Sequence, residues 1–427
     1  MPFRIVLTFY RLLLPVLFLA AFPGWIVKML KRGGFGTRLG ERAAIYTTAL
    51  DFEPCAATHI HAVSVGETLL ALKLVREWKI LDPAHRFVLA TGTATGHHLA
   101  TEARIADLRV TYSPLDFPSM VRRYLNRFEP ARIVLIEGEA WPHLLLMSAE
   151  KSIPVHLVNA RMSPRSARRY QKFASCIRPI YQTLTGVAIQ EAEDAGIWKT
   201  LGVEPSRIHH TGSLKFDPGS GPLPTRRPDF QALLSACGSD RPIVLAASTF
   251  PGEESCIAAA IREANPQALP VIVPRHAERR AEVRADLEKA GFEVIFRSNF
   301  SPPASPSDAC LVIDSTGELR DWTAHADAVI IGKSFLSTGG QNPAEAILAR
   351  KPLIFGPHME NFEPLASKLI ATDACWLARD SHELVTAIQA ALVAEKNSAG
   401  IARATALLTP HAGATRRIIA LLHSTQP

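Results

Sequence analysis

Hydrophobic and polar positions divide this chain into three regimes. Over residues 3–30 apolar residues dominate, with a core from Leu12 to Val27 interrupted by Pro15 and Pro23 and flanked by Arg4, Arg11, Lys28, Lys31 and Arg32. A spanning helix needs roughly 20 apolar residues, so the stretch is short for a span. A secretory signal fits less well, because the downstream flank is basic and no small-x-small cleavage site follows Ala20-Ala21. Residues 1–32 read as an anchor in or just through a membrane, the basic flank at the cytoplasmic face. A long core helix satisfies the same pattern.

From residue 58 the pattern becomes regular. Apolar runs of strand type occupy 58–65, 86–90, 109–112, 131–136 and 153–158, separated by helical periodicity as in 67–80 and 117–128. Residues 217–242 are rich in Pro, Gly and Ser and read as a linker with one short helix. Alternation restarts with strands at 243–247, 269–273, 293–296, 310–313, 328–331 and 353–355. Such alternation implies parallel sheets covered by helices on both faces. The expectation is therefore α/β: two doubly wound domains, 33–216 and 243–427, with ligand in the cleft at the carboxyl ends of the strands.

The stretch 327–362 carries this unit in its most suggestive form. A strand leads to Gly339-Gly340, then Asn342-Pro343-Ala344-Glu345 opens a helix with a capping Asn and an early Pro, and Lys351-Pro352 closes it. The loop would present bare backbone N–H groups where an anion such as a phosphate binds. An ordinary crossover, with a glycine turn and a capping Glu345, uses the same residues.

Composition narrows the partners. At 427 residues, with a formal net charge of +7 and pI near 9.2, the chain favours acidic partners. Its basic residues form no dense tract with interleaved aromatics, which disfavours nucleic acid. Six widely spaced cysteines without a CxxC pair fit reduced thiols. The glycine-rich 33–40 lacks GxGxxG spacing and a preceding strand, and no GxxxxGK[ST] or GxSxG is present. The pairs His59/His61, His97/His98 and His209/His210 lack HExxH context, so no metal site is expected.

Candidate chemistry sits in loops that leave a strand and enter a helix. Ser64, Gly66 and Glu67 form one, Glu137-Gly138-Glu139 a second, Ser248 to Glu254 a third, and Pro274-Arg275-His276 a fourth. Arg275 offers a planar fork of donors suited to phosphate.

Taken together these loops resemble one family, the 3-deoxy-D-manno-octulosonic acid (Kdo) transferases of lipopolysaccharide assembly. The matching pieces, in order, are Gly40-Glu41-Arg42, HAVSVGET (61–68), TGTATG (91–96), YSPLD (112–116), EGEAWP (137–142), VNARMSPRS (158–166) and TGSLKFD (211–217). ASTFPGEE (247–254), PRHAER (274–279), DSTGEL (314–319), GGQNPAEA (339–346) and GPHMENF (356–362) follow. The resemblance implies a GT-B fold with an N-terminal anchor at the cytoplasmic side of the cell inner membrane. It implies transfer of Kdo from CMP-Kdo to the lipid A precursor, inverting the anomeric centre, with no cofactor.

The same resemblance implies roles. Glu41 is the catalytic base, and Ser64, Gly66, Glu67 and Glu139 line the acceptor side. Lys215, Ser248, Thr249, Glu253, Pro274, Arg275, His276, Gly317, Glu318, Gly339, Gly340, Asn342 and Glu345 line the donor side, with Glu345 on the ribose hydroxyls. A salt bridge to Arg42 or a helix cap is the plainer use of Glu41. Gln341 stands where the family commonly has His, Lys333 where it has Gly, and Gly138 and Ala140 replace bulkier residues. Rival readings are a nucleotide-sugar epimerase of similar architecture and a non-catalytic membrane-attached nucleotide-sugar-binding protein.

Overall fold

The computed structural model describes residues 3–31, 38–46, 56–138, 141–218 and 224–424. The chain forms two compact units, Met1–Gly219 with His411–Pro427, and Ser220–Pro410.

The first unit begins with the apolar helix α1 (Phe3–Lys31), then alternates β1 (Thr58–Ala62), α2 (Val65–Leu81), β2 (Phe87–Thr91), α3 (Ala94–Glu102), β3 (Leu108–Tyr112), α4 (Pro118–Phe128), β4 (Arg132–Ile136), α5 (Pro142–Glu150) and β5 (Val155–Ala160). Two short strands, β6 (Gly186–Ile189) and β7 (Ile208–His210), complete a parallel sheet of order β3-β2-β1-β4-β5-β6-β7. Strands β1, β2, β4 and β5 are buried along their whole length. Helices cover both faces of such a sheet, so these strands read as continuous runs rather than alternations.

His59 and His61 show how the sheet accommodates polar residues. His59 Nδ1 lies 2.7 Å from Tyr124 Oη, and the His61 ring stands edge-on to the same tyrosine. Burial pushes both imidazoles down, His61 to about 4, so both are neutral core residues.

Helix α1 contains a segment, Phe3–Gly24, long and apolar enough to cross a membrane. Phe9, Leu12, Val16 and Leu19 are exposed. Tyr10 and Arg11 instead bond to the unit: Tyr10 Oη donates to Asp116 Oδ2 at 2.9 Å, and Arg11 Nε to His143 Nε2 at 3.2 Å. Asp116 also accepts the His143 and Leu144 N–H groups, both at 2.9 Å, and so caps the first turn of α5.

The second unit has strands β8 (Ile243–Thr249), β9 (Leu269–Pro274), β10 (Glu293–Phe296), β11 (Ala309–Val312), β12 (Ala328–Ile331), β13 (Leu353–Phe355) and β14 (Trp376–Leu377), in the parallel order β10-β11-β9-β8-β12-β13-β14.

Both boundaries drawn from sequence shift. The stretch expected as linker carries the helix Pro228–Ala236, whose Phe230 is fully buried and stacked on Trp322 at 3.9 Å. It is part of the second unit, because an aromatic pair of that size holds it there. The C-terminal helix Ala414–Ser424 returns to the first unit, where Ile418, Ile419 and Leu422 join the core formed by Leu72 and Val75 of α2. The second unit therefore ends at Pro410, not at residue 427.

Candidate active site

Each sheet reverses its winding at one place, between β1 and β4 in the first unit and between β8 and β12 in the second. Ligands of doubly wound sheets bind outside the strand carboxyl ends at such points. The loops singled out from sequence leave those strands, except Pro274-Arg275-His276, which follows the neighbouring β9.

In the first unit, Ser64 caps α2 by accepting from Glu67 N at 3.2 Å, while Glu67 Oε2 accepts from Val63 N at 2.8 Å. This resembles a capping box with the return bond one residue before the cap, at Val63, so Glu67 fixes the loop after β1 and is itself buried. Ser64 and Gly66 are exposed on that loop. Glu139 lies outside the described residues, but Glu137 of the same segment ends β4 with φ +66°. Burial raises the Glu137 carboxyl; Arg161 and Lys215 pull it back and Glu67 pushes it further. Lys215 is driven down to about 8 by burial, against the pull of Glu137. The quartet Glu67, Glu137, Arg161 and Lys215 thus gathers at the carboxyl end of this sheet. Sequence reasoning singles out the loop that begins at Glu137 but assigns neither Glu137 nor Arg161 a role in the site. Their signal was present: an acid and a base directly after two neighbouring strands paired Ile136 to Val158.

Glu41 lies in a one-turn 3₁₀ segment, Leu39–Ala43, and is 3% exposed. Thr111 Oγ1 and Tyr112 N both donate to its Oε2, at 3.0 and 3.1 Å. Oε1 faces Arg38 Nε at 3.9 Å. The Arg42 guanidinium lies 4.0 Å over the Tyr112 ring and donates to Gly92 O at 2.8 Å. One carboxylate oxygen is fixed by the end of β3 and the other is left toward a cation, an arrangement able to accept a proton in a defined direction.

In the second unit the loops after β8 and β12 touch. A Cβ on Gly332 would stand 2.6 Å from Ser248 O and 2.7 Å from Thr249 N, so only glycine allows this approach. Ser248, at φ +59°, forms the bulge that turns the chain there. Glu253 is 1% exposed and accepts from Phe250 N, Lys333 N and Phe335 N at 3.0, 2.6 and 3.2 Å. It therefore ties the two loops together. Thr249 is buried on Glu254 at 3.0 Å, and Glu254 pairs with Arg279 at 2.8 Å. Glu318 pairs with Arg297 at 3.0 Å and accepts from Ser315, following Gly317 at φ +83°.

Residues open to a ligand are fewer. Arg275 and His276 are exposed just past Pro274, the last residue of β9. Asn342 Oδ1 accepts from Ala344 N at 3.1 Å just ahead of the short helix Ala344–Leu348, whose N-cap position is Pro343 rather than the expected Asn. Glu345 is largely buried, its carboxyl raised by burial and lowered by Arg320 and Arg275, and its buried Oε2 has no hydrogen-bond partner among the described residues. Gly339 and Gly340, at φ +110° and +66°, do not present bare amides. Gly339 N donates to Glu360 Oε2 at 2.6 Å and Gly340 N to Lys333 O at 3.0 Å. Among the described residues, no group of three or more His, Cys, Asp or Glu could hold a metal ion.

Residues 37–218 match the family profile described as 3-deoxy-D-manno-octulosonic-acid transferase (kdotransferase). The chain is 35% identical to the 3-deoxy-D-manno-octulosonic acid transferase of Bordetella pertussis, over 85% of this chain and 86% of the relative. It is 31% identical to that of Haemophilus influenzae, over 90% of each. Among solved structures, a UDP-GlcNAc 2-epimerase from Neisseria meningitidis matches with TM-score 0.54 at 10% identity, covering 87% of this chain and all of that one. That likeness shows the two-sheet GT-B type of fold.

Proposed function

The chain belongs to the 3-deoxy-D-manno-octulosonic acid transferase family of glycosyltransferases, and from that membership we propose that it moves Kdo from CMP-Kdo to the lipid A precursor with inversion. The observation that carries this reading is Glu41, a buried carboxylate with Oε2 held by Thr111 and Tyr112 and Oε1 without a hydrogen bond among the described residues, 3.9 Å from Arg38 Nε.

In this reading the acceptor hydroxyl attacks the anomeric carbon of Kdo as Glu41 takes its proton. The bond from that carbon to the phosphate oxygen breaks, and CMP leaves with the electron pair. Arg275 receives the developing phosphate charge, and the open oxygen of Glu345 accepts from the ribose hydroxyls. Lys333, with Nζ 4.9 Å from the Phe250 ring centroid, adds a second cation beside the same loops. The charges are carried by side chains, without metal or cofactor. Helix α1 holds the protein at the cytoplasmic face of the inner membrane, where its lipid acceptor is found. An epimerase would need neither that helix nor a lipid acceptor.

The test is incubation of the protein with lipid IVA and CMP-Kdo, followed by lipid mass. Wild type adds the mass of Kdo. Glu41→Gln keeps CMP binding and loses about 10²- to 10⁴-fold in kcat, the usual worth of a positioned base. Full activity in Glu41→Gln would discard the base, and no mass gain by a CMP-binding wild type would discard the acceptor.

A further inference from the structure

Beside Glu41, on the far side of Tyr112, lies an open groove of about 570 Å³ lined by Arg38, Ala94, Thr95, His97, His98, Thr101 and Tyr112. None of the catalytic steps above uses it. Three of its side chains are cationic or able to become so. Arg42 adds a fourth through its position over the Tyr112 ring. The His97 ring stacks on Tyr112 at 4.5 Å and 22°, and its Nε2 is buried without a hydrogen-bond partner among the described residues. Helix α3 starts at this wall, with Thr93 as its cap accepting from Gly96 N at 3.0 Å. Ala94 and Thr95 belong to its first turn, whose N–H groups have no acceptor within the helix.

The groove is connected to the candidate base through one residue. Tyr112 donates its N–H to Glu41 and turns its ring to the groove. A sugar whose hydroxyl meets Glu41 therefore has a neighbouring substituent beside His97 and His98. We propose that this groove is a subsite for a phosphate monoester carried on the sugar of the glycolipid acceptor. The proposal rests on the transferase reading. His97 is itself a gauge of the local field: burial, then Arg38, Arg42 and His98, push its imidazole down to about 4. An anion placed among those groups relieves the same repulsion, and both imidazoles and the Arg38 fork then donate to it. Neither histidine belongs to the motifs that carry the family resemblance, so the subsite concerns acceptor choice rather than the transfer step.

Two measurements decide it. In the first, transfer is followed with lipid IVA and with phosphatase-treated lipid IVA, for wild type and a His97→Gln/His98→Asp double variant. The expected result is a KM for lipid IVA raised about tenfold in the variant, as for loss of a charge-assisted hydrogen bond, with kcat retained. The two proteins should not differ on the dephosphorylated lipid. Equal KM values on lipid IVA overturn the subsite and leave the transferase standing. The second needs no turnover. Imidazole resonances of the ¹³C-histidine-labelled full chain are followed with glucosamine 1-phosphate, glucosamine, inorganic phosphate and phosphatidylglycerol vesicles. Saturable shifts of His97 and His98 with glucosamine 1-phosphate alone support the subsite even if no transfer is seen. Equal response to inorganic phosphate or to the vesicles assigns the groove to a free anion or a membrane headgroup and overturns it, as does no response.

Discussion

The backbone N–H of Gly339 donates to Glu360 Oε2 at 2.6 Å, so an amide expected from sequence to meet a phosphate is held by a carboxylate of its own chain. Asn361 N returns a bond to Gly339 O at 3.1 Å, and a Cβ on Gly339 would lie 2.4 Å from Asn361 Nδ2. The glycine pair is thus required by packing against the 356–362 segment as well as by its positive φ. The Glu360 carboxyl is held below its usual range by bonds from its own N–H and that of Gly339 and by His358. It is therefore an anion at neutral pH beside Lys333 and the candidate donor loops.

Glu360→Gln should tighten CMP binding. The variant keeps an oxygen for the Gly339 amide and removes a negative charge facing the incoming phosphate. Calorimetric titration with CMP at low salt should give a Kd lower by about threefold, the gain fading as salt screens it. Unchanged affinity at low salt would place the phosphate away from Gly339.

Lys333 offers a prediction in which stability and affinity move in opposite directions. It occupies φ +57°, where a residue with Cβ is strained by roughly 1–2 kcal/mol and glycine is not. Its N–H donates to Glu253, which any residue but proline preserves. Lys333→Gly should raise the stability of the second unit by about 1 kcal/mol in chemical denaturation. The same change should weaken CMP by several-fold in titration, because the ammonium group is lost. A variant that binds CMP as wild type does would leave Lys333 without a part in donor binding.

The C-terminal helix makes a third case. Asp217 accepts from Gly413 N at 2.9 Å and from Thr415 N and Oγ1 at 2.7 and 2.5 Å, fastening the returning chain to the first unit. Asp217→Ala strands three donors, a loss of about 3 kcal/mol or more. Removing residues 411–427 also uncovers the face of α2 that Ile418, Ile419 and Leu422 bury, at about 1.5–3 kcal/mol per side chain. The truncated chain should aggregate on expression, and Asp217→Ala should show a lowered melting temperature with faster proteolysis inside the first unit. A truncation as stable as wild type would mean that the helix is dispensable to that core.

These particulars show what could be read in advance. The central strands are legible because they are apolar on both faces; the runs 133–136 of β4 and 243–247 of β8 hold only Ile, Val, Leu and Ala. The edge strands β7 and β14 are not legible, because β7 reads Ile-His-His and β14 has only two residues, and β6, Gly-Val-Ala-Ile, is not expected either. Strand ends drifted by two or three residues where a cap was decisive, as at Ser64, whose side chain starts α2 inside the expected strand. Loops were found by their glycines and acids, yet the use of each acid was not written in the sequence. Glu67 and Glu253 bind backbone amides, Glu345 keeps a buried oxygen without a partner among the described residues, and only three-dimensional placement separates them. The return of residues 411–424 was illegible for the same reason. An amphipathic stripe shows which face of a helix is buried but not which unit buries it.

Lys215 yields the pH prediction. Its ammonium group sits among buried neighbours, and burial outweighs the attraction of Glu137, so that it titrates at about 8 when folded against 10.5 for a lysine exposed to water. Between those two values the unfolded chain holds a proton there that the folded chain has released. Stability therefore rises with pH from about 8 to about 10.5, and below 8 the folded state carries the full penalty of the buried charge. Lys215→Met removes the penalty and also deprives Glu137 of a cation, which offsets part of the gain because Glu137 is already raised by burial. Melting temperatures of both proteins should be compared at half-unit steps from pH 7 to 10.5. The variant should be the more stable at pH 7, and its advantage should shrink steadily above pH 8. A difference independent of pH would show that Lys215 keeps its proton in the folded protein, with Glu137 rather than burial deciding its charge.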